Sequence, residues 1–464
     1  MYKITLFFIC FLSHSFIYAQ EKPNIIHIVG DDIGWDDYAS FGSAYYKTPQ
    51  IDRLASEGVR LTHFYAPHST CTPSRAAFMT GRVAPRVNDR TGLGVLFPTA
   101  TNGLDSAKEI TFVKILQQQH YKTALFGKWH LGHLPQFLPA AHGFDEYLGI
   151  PYPNDHGPER LGNTGSRQYP PIPLIHNTEK IKELHNNDLA EAPALFVREA
   201  CKYIAQRVKN KEPFYLQYSN IETHTPWFVP KGFDGDKADA YADAVQYFDR
   251  SVGIILNQVK QLGIENNTII IFHADNGPLV VRYDELENCY GKYATVDTAK
   301  KHVLRDGKYQ DKFEGGERVA AIVKWPGKIP AGKTVQEMIA GTDWFTTLLQ
   351  LTGNTVPKDR VIDGKNVMPL LTGASTVPVR NTYYAFSPFG NLEGIRYNNW
   401  KLVMIKNANK NQPLLFNLKT DPGESTDLSV QYPNIVKSLL ALAPQALDAI
   451  KNNYPLNEMN NFDF

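Results

Sequence analysis

The sequence predicts an α/β protein with a mostly parallel sheet covered by helices, followed by a smaller C-terminal antiparallel sheet and a helix. Three observations support this class: apolar runs that lack strict polar alternation, apolar residues at helical spacing between those runs, and a change of pattern near Val377. Runs that are apolar throughout are typical of strands buried on both faces of a parallel sheet. With 464 residues, the chain is long enough for one large domain and one smaller domain.

Four apolar runs are predicted to be parallel strands, and polar residues follow each run directly. The runs span residues 24–29, 122–126, 214–218 and 268–272. The predicted helices between them span residues 51–57, 111–119, 194–209 and 240–262. Because open α/β sheets bind ligands at the carboxyl ends of their strands, the polar residues after the runs predict an active site at that edge.

The region from residue 377 to 464 is predicted to be an α+β subdomain, and residues 20–376 the catalytic domain. Short runs separated by Gly, Asn and Pro predict an antiparallel sheet, with strands at residues 381–386, 392–397, 401–405 and 414–418. Residues 433–451 are predicted to form one helix. The Asn-rich tail from Asn452 onward is expected to be frayed.

Residues 1–19 have the features of a signal peptide. Lys3 supplies a positive start, residues 6–17 are apolar, and Ala19 is a small residue suited to cleavage. The apolar stretch is shorter than the roughly 20 residues that span a bilayer. We therefore expect export, to the periplasm or out of the cell, and no membrane attachment after cleavage.

The charge balance excludes two classes of partner. Lys and Arg together number 48, and Asp and Glu together number 47. The chain therefore has no overall positive field that would hold nucleic acid or an acidic membrane surface. A site for an anion must be built locally.

Carboxylate and amide side chains follow two of the predicted strands. Asp31 and Asp32 come after the first, and Asp275 and Asn276 come after the last. One such pair alone is usually a turn or a helix cap, but two pairs at strand ends point to a shared site. Ligands that are all oxygen suit a hard cation, and we expect Ca²⁺ rather than Zn²⁺.

The most specific motif is Cys-Thr-Pro-Ser-Arg at residues 71–75, followed by Thr-Gly-Arg at residues 80–82. Pro73 and Ser74 are typical of a helix opening, which places Cys71 near the positive end of the helix dipole, where anions are stabilised. Residue by residue, this segment resembles the maturation signal of the sulfatase family, Cys-x-Pro-Ser-Arg with Thr-Gly-Arg downstream.

The resemblance to sulfatases extends from about Pro23 to the C-terminal helix. It implies an alkaline-phosphatase-like fold, hydrolysis of sulfuric esters, and one Ca²⁺ per chain beneath the sulfate. It also implies a formylglycine at Cys71, which contacts the cation and is made by a separate maturation enzyme, a transient partner. The other matching segments are residues 31–32, 127–132, 224–226, 275–277, 314–316, 325–327 and 415–418.

The resemblance implies a chemical role for the modified Cys71 and for His130. One hydroxyl of the hydrated aldehyde at Cys71 would attack sulfur and displace the alcohol. His130 would then take the proton of the second hydroxyl, so that the covalent intermediate collapses to aldehyde and sulfate.

The remaining site residues are cations and one more histidine. In the family pattern, Arg75 and Lys128 orient the nucleophile and neutralise sulfate oxygens, while His224 and Lys308 donate to the leaving-group oxygen. Lys308 lies one residue further from the following aromatic than the family pattern places its lysine. Lys312 is the alternative.

Besides the spacing of Lys308, the sequence departs from the family pattern after the segment Gly-Ile-Pro-Tyr at residues 149–152. In the branch that resembles arylsulfatase A, a serine that contacts sulfate follows this segment, whereas here Pro153 follows and cannot donate a hydrogen bond. Asn154 and His156 are the residues that could compensate.

The expected substrate is a sulfated carbohydrate of the glycosaminoglycan or algal glycan type. Polar stretches at residues 154–187 and 282–305 follow strand ends, where loops would rim the pocket. Two alternatives remain: a formylglycine-dependent phosphodiester or phosphonate ester hydrolase of the same superfamily, and an inactive carbohydrate-binding protein. The residues that could contact the glycan are Arg160, Arg167, His176, His185, Arg282, Lys292, Lys300, Lys301, His302, Tyr152, Tyr169, Trp227, Tyr290 and Tyr293.

Overall fold

The computed structural model describes residues 22–157, 169–233, 240–280, 302–404 and 412–459. The predicted signal peptide lies outside the described residues. Within those ranges, no helix combines the length and the apolar character needed to cross a membrane.

The described residues form one large sheet of eleven strands, in the order β10-β2-β9-β8-β1-β7-β3-β4-β5-β6, with β11 paired to β2. The strands are β1 Asn24–Gly30, β2 Val59–Tyr65, β3 Lys122–Lys128, β4 Glu146–Ile150, β5 Ile172–His176, β6 Glu179–Leu184, β7 Phe214–Ser219, β8 Thr268–Ala274, β9 Arg318–Lys324, β10 Lys333–Val335 and β11 Ile339–Ala340.

The four strands predicted from the sequence lie side by side in the middle of this sheet. β8, β1, β7 and β3 are consecutive neighbours, and all three pairings between them are parallel. Every residue of β1, β7 and β8 is buried, which explains why these runs lack polar alternation. The predicted α/β class is therefore confirmed, and the polar residues that follow the four strands lie at one edge.

Helices cover the sheet, and the four helices predicted between the strands are confirmed as α1, α4, α5 and α6. The helix α5 begins earlier than predicted, because His185 and Asp188 form a capping box ahead of Pro193. The helices of the described residues are α1 Pro49–Glu57, α2 Cys71–Thr80, α3 Val87–Arg90, α4 Phe112–Gln118, α5 Asn186–Asn210, α6 Ala240–Gln261, α7 Glu314–Glu317, α8 Asp343–Leu351, α9 Met368–Thr372, α10 Pro433–Leu440 and α11 Ala443–Asn452.

A smaller antiparallel sheet follows, as the sequence predicts. Its order is β12-β13-β14-β15, and its inner face packs on α10 and α11 through a core that includes Ile395, Leu402, Leu415 and Leu439. The domain boundary at residues 376 and 377 stays a prediction. The strands are β12 Thr382–Phe386, β13 Leu392–Tyr397, β14 Trp400–Val403 and β15 Leu414–Asn417.

Two expectations for the C-terminus are wrong. The region predicted as a single helix is two helices, because Pro444 has no N–H to donate to the Leu440 carbonyl and starts a new helix instead. The tail is expected to be frayed from Asn452 onward, but it packs against the protein up to residue 459. The Glu458 carboxylate accepts hydrogen bonds from the backbone of Asn381 and Thr382, and Met459 is buried in the core of the smaller sheet.

The polar stretch at residues 154–187 is only partly a loop. It contains the hairpin of β5 and β6, which extends the large sheet beyond β4. Ile172 and Leu174 are buried on this hairpin, so pairing to the sheet and burial of these side chains override the polar composition of the surrounding residues. His176 ends β5, and His185 is the N-cap of α5.

Candidate active site

The residues after β1 and β8 meet as the sequence predicts. The Asp275 N–H donates to the Gly30 carbonyl at 2.9 Å, and the Asn276 side-chain amide donates to Asp32 Oδ1 at 2.8 Å. Asp31, Asp32, Asp275 and Asn276 are all buried. The parallel pairing of the two strands brings the three carboxylates and the amide together, although about 240 residues of sequence separate them.

Each of the three carboxylates contacts a different cation. All six side chains are buried, so these ion pairs are shielded from solvent. The pairs are Lys128 Nζ with Asp31 Oδ2 at 2.6 Å, Lys308 Nζ with Asp32 Oδ2 at 2.7 Å, and Arg75 Nε with Asp275 Oδ2 at 2.8 Å.

Burial and charge act in opposite directions on the carboxylates. Burial raises the pKa of Asp275 to about 6; Asp31 and Asp32 add to this rise, and Arg75 offsets part of it. At Asp31 burial also acts to raise the pKa, but Lys128 and the other nearby cations outweigh it and hold the pKa below its usual range. Positive charge is therefore what keeps this buried cluster ionised.

The same residues fit a hard cation. Asp31 Oδ1 and Asn276 Oδ1 are buried and, among the described residues, have no hydrogen-bond partner. Buried polar oxygens of this kind need an explanation, and a cation that binds oxygen ligands supplies one. Ligand atoms of Asp31, Asp32 and His224 also lie within 4.8 Å of one another, which adds His224 as a possible ligand that the sequence did not predict.

Cys71 is the first residue of α2, at the edge of this cluster. Its side chain is 1% exposed, and the Ser74 hydroxyl one turn later donates to the Asp275 carbonyl at 2.5 Å. Burial raises the pKa of the Cys71 thiol, and Lys128 and Lys308 oppose that rise only in part. An ordinary thiolate nucleophile is therefore disfavoured here, since a cysteine nucleophile acts in its deprotonated form.

His130 has one ring nitrogen free for chemistry. Its Nε2 lies 2.9 Å from the Leu96 carbonyl, which can only accept a hydrogen bond, so Nε2 carries the proton. In the neutral ring Nδ1 is then an acceptor, and this buried atom has no partner among the described residues. Burial lowers the pKa of His130 well below its usual value, and Lys128 adds to this effect.

His224 and Lys308 form a contacting pair. His224 Nδ1 lies 2.7 Å from the Thr225 carbonyl, so its Nε2 accepts a hydrogen bond from Lys308 Nζ at 3.1 Å. Lys308 reaches this position because its N–H donates to the Pro278 carbonyl at 2.8 Å, just after Asn276. The ion pairs of Asp31, Asp32 and Asp275 among the described residues do not include Lys312, whose Nζ lies 6.0 Å from the centre of the Phe313 ring.

The stretch after β4 places further polar atoms beside His130. The His156 ring centroid lies 5.8 Å from that of His130, and the rings of Phe97, Tyr152 and Tyr169 surround it. His156 Nδ1 and the Tyr169 hydroxyl are buried, and neither has a hydrogen-bond partner among the described residues.

Asn154 shares this environment. Its side-chain nitrogen donates to the carbonyls of His224 and Pro226, both at 2.9 Å, and its side-chain oxygen is buried without a partner among the described residues. The residues that follow Pro153 are therefore joined to the His224 segment at the site.

Several residues contact the site residues but are not among those predicted from the sequence. The Thr223 hydroxyl donates to the Asp31 carbonyl, and Arg75 Nη1 lies 3.3 Å from the Ser219 hydroxyl. Ser74 belongs to the Cys71 motif, and Thr223 lies in the polar cluster after β7, so a signal existed for these two. Leu96 acts through its backbone carbonyl, which leaves no signal in the side-chain pattern.

Many of the predicted glycan contacts lie outside the described residues. Among those inside, His302 Nδ1 contacts Asp36 at 2.8 Å, and Trp227 packs against Tyr241. The predicted contacts outside the described residues are Arg160, Arg167, Arg282, Lys292, Lys300, Lys301, Tyr290 and Tyr293.

Comparison with known proteins agrees with this geometry. The sequence matches the family described as Sulfatase over residues 23–354, and the one described as N-sulphoglucosamine sulphohydrolase, C-terminal, over residues 306–446. Arylsulfatase A from Bos taurus is 34% identical over 474 residues, which cover 93% of this chain and 87% of the relative. N-acetylgalactosamine-6-sulfatase from Canis lupus familiaris is 31% identical over 469 residues, which cover 92% and 85%.

A solved structure, Ps i-CgsB in complex with k-i-k-neocarrahexaose, has a TM-score of 0.74 and 27% sequence identity, and the match covers 94% of this chain and 95% of that chain. The family match spans more than half of the chain, and the relatives match nearly all of it. The chain therefore belongs to the sulfatase family and is a sulfuric ester hydrolase.

Proposed function

We propose that the protein removes sulfate from a sulfated carbohydrate, using a formylglycine made from Cys71 by a separate maturation enzyme and one bound Ca²⁺. The observation that carries this proposal is the position of Cys71. It begins a buried helix whose Ser74 and Arg75 both contact Asp275, within a set of oxygen ligands that suits a hard cation. Because residues 1–19 are predicted to be a signal peptide, the proposal includes export of the protein, to the periplasm or out of the cell.

Asp31, Asp32, Asp275 and Asn276 would hold the cation, and the modified side chain at position 71 would complete the set. When bound, Ca²⁺ supplies positive charge that makes a neighbouring hydroxyl more acidic and draws charge from sulfate oxygens. Asp31 Oδ1 and Asn276 Oδ1, which are buried and have no hydrogen-bond partner in the part of the chain that the structure describes, are the atoms that a bound cation would satisfy.

The aldehyde at position 71, once hydrated, supplies a hydroxyl that can attack sulfur and a second hydroxyl whose proton must leave. His130 is suited to remove that proton. Its Nε2 is held by the Leu96 carbonyl, so Nδ1 keeps its lone pair and has no competing partner among the described residues. The low pKa of His130 keeps the ring neutral, as a base requires.

Two of the three cations are proposed to bind sulfate, and the third is proposed to protonate the leaving group. Arg75 Nη2 is buried without a hydrogen-bond partner among the described residues, and Lys128 sits beside it on Asp31, so both can bind an anion. Lys308 donates to His224 Nε2, and the pair can share one proton that a departing alkoxide would accept.

A carbohydrate leaving group explains the polar atoms beside His130. His156 Nδ1, the Tyr169 hydroxyl and Asn154 Oδ1 are buried without hydrogen-bond partners among the described residues. An aryl ester has no hydroxyl groups to satisfy them, whereas a sugar has several, and Phe97 is the kind of aromatic side chain that packs on a sugar ring. One relative is named for N-acetylgalactosamine, and one solved neighbour contains a neocarrahexaose.

The first prediction is that Cys71→Ala abolishes sulfate ester hydrolysis and leaves the fold intact, because in the proposed mechanism the modified side chain at position 71 is the group that attacks sulfur. The measurement compares turnover of a sulfated oligosaccharide and circular dichroism for the matured parent and the variant. A phosphodiester, tested with the parent, separates the sulfatase from the alternative hydrolase. Turnover by the variant near the parent rate would refute the mechanism.

The second prediction is that Ca²⁺ removal and Asp275→Ala each lower kcat by more than about a hundredfold, by analogy with other losses of electrostatic stabilisation. Calorimetric titration of Ca²⁺ into metal-free protein measures binding directly, and Asp275→Ala should bind it more weakly. Glu265→Ala, at a carboxylate outside the site, is the control. Full activity of chelator-treated, metal-free protein contradicts the proposal.

The third prediction concerns the two candidate lysines. Lys308→Ala should lower kcat by about a hundredfold or more, because it removes the donor to His224. Lys312→Ala should leave kcat within about twofold of the parent, since substitutions away from such sites are usually small in effect. Equal losses in the two variants, measured as initial rates at saturating substrate, would contradict this assignment.

The fourth prediction is that His156→Ala and Tyr169→Phe lower kcat/KM for a sulfated oligosaccharide by about tenfold, the size expected for one lost hydrogen bond in a buried site. Hydrolysis of nitrophenyl sulfate should be unchanged in both variants. The comparison uses chondroitin and algal oligosaccharides beside the aryl ester. If the aryl ester is much the better substrate and neither variant distinguishes it from the glycans, the carbohydrate assignment is wrong.

A further inference from the structure

The short helix α7 contacts the segment that carries the metal ligands. The Gly277 N–H donates to the Gly316 carbonyl at 2.9 Å. A Cβ atom on Gly277 would lie 1.7 Å from the Gly315 carbonyl oxygen, so the two backbones approach as closely as glycine allows. Because Gly277 directly follows Asp275 and Asn276, α7 contacts the backbone immediately after both predicted ligands.

The same turn contacts the segments of the lysine and of Cys71. The Gly315 N–H donates to the Arg305 carbonyl at 2.9 Å, on the segment that leads to Lys308. A Cβ atom on Gly316 would lie 2.9 Å from the Ser69 side chain, two residues before Cys71. Thus α7 contacts three segments that bear site residues, although none of its own side chains has been given a role.

Glu314, the first residue of α7, points away from these segments and into a buried cluster with the smaller sheet. Its carboxylate is fully buried, and Lys401 and Arg396 reach it from strands β14 and β13. Its contacts are Lys401 Nζ with Oε1 at 2.9 Å, Tyr65 Oη with Oε2 at 2.7 Å, Arg318 Nη1 with Oε2 at 3.5 Å, Arg396 Nη1 with Oε2 at 3.8 Å, and its own N–H with Glu424 Oε2 at 2.7 Å.

The charges in this cluster depend on one another. Burial alone would raise the pKa of Glu314, but Lys401, Arg396 and Arg318 outweigh burial and hold that pKa below its usual range. Lys401 also contacts Glu424 at 3.2 Å, so it is shared by two buried carboxylates. Without Lys401, Glu314 would keep only the longer ion-pair contacts, with Arg318 and Arg396, and Glu424 would lose its contact with Lys401, so two neighbouring buried carboxylates would be less well neutralised.

We infer that Glu314 is a positioning residue, through which Lys401 and Arg396 of the smaller sheet hold the Ca²⁺-ligand segment and the Lys308 segment in place. The inference rests on the proposed function for the Ca²⁺ site. It assigns the smaller sheet a part in metal binding, since the chain of contacts runs from β14 through Glu314 and Gly316 to Gly277 and Asn276.

A second buried ion pair supplies a matched control. Arg380, which lies just before the smaller sheet, pairs with Asp343, the first residue of α8. This pair therefore also joins the region next to the smaller sheet to an element outside it. Asp343 otherwise accepts hydrogen bonds from the backbone of Ala340 and Lys365, and neither belongs to the metal-ligand or lysine segments. Lys401→Met and Arg380→Met each remove one buried cation, but only the first touches the contacts of Glu314.

The experiment measures three quantities for the parent, Lys401→Met, Lys401→Arg and Arg380→Met: the Ca²⁺ dissociation constant by calorimetry, Tm, and hydrogen exchange of metal-free protein in peptides that cover residues 275–280 and 305–316. We expect Lys401→Met to weaken Ca²⁺ binding by about ten- to a hundredfold, the range for lost supporting contacts at metal sites. It should also speed exchange in both peptides, and Lys401→Arg should restore both. Arg380→Met should lower Tm without either change.

Ca²⁺ affinity and exchange at parent values in Lys401→Met would overturn the inference. Equal changes in Lys401→Met and Arg380→Met would also overturn it, since they would reflect general destabilisation. If the parent itself binds no Ca²⁺, the metal part of the proposed function fails, while the exchange comparison still decides whether Glu314 positions the two segments.

Discussion

The structure depends on pairing three buried carboxylates with positive charge. Asp31, Asp32 and Asp275 lie at the end of two parallel strands, where water cannot stabilise their charge. Burying an unpaired charge costs several kcal/mol even after relaxation. The surrounding structure offsets this cost with one cation for each carboxylate and with a helix that begins at the cluster. Because these three cations already match the three carboxylates, a bound divalent cation would leave the site positively charged, which suits an anionic sulfate ester.

This constraint links metal binding to the chemistry of the ester. The side chains that neutralise the carboxylates, Arg75, Lys128 and Lys308, are also those suited to contact a sulfate or a leaving alcohol. A sulfate ester would therefore enter a site whose charges are already arranged, so little reorganisation is needed as charge develops in the transition state. His130 differs from these cations, because its pKa is lowered by burial and its Nδ1 has no hydrogen-bond partner among the described residues, as the proposed role as a base requires.

The smaller sheet is joined to this site by charge as well as by apolar packing. Its hydrophobic core is separate from that of the large sheet, yet Lys401 and Arg396 extend from it to a buried glutamate in the turn beside the predicted metal ligands. Removing one partner of a buried ion pair strongly destabilises the folded protein, because the other charge is left buried without compensation. The inferred role of Glu314 therefore predicts that a substitution in the smaller sheet can disturb the position of a predicted metal ligand.

The sequence by itself determined the α/β class, the four central strands, and the side chains that meet after them, because each signal is local: an apolar run, a polar cluster, or the Cys71 motif. It also offered both Lys308 and Lys312. Only the tertiary structure shows that Lys308 contacts Asp32, because that contact depends on how the Lys308 segment packs against Pro278. The break before Pro444, the ordered tail at Glu458, and the contacts of Glu314 with Lys401 likewise depend on packing between distant segments, which no local pattern records.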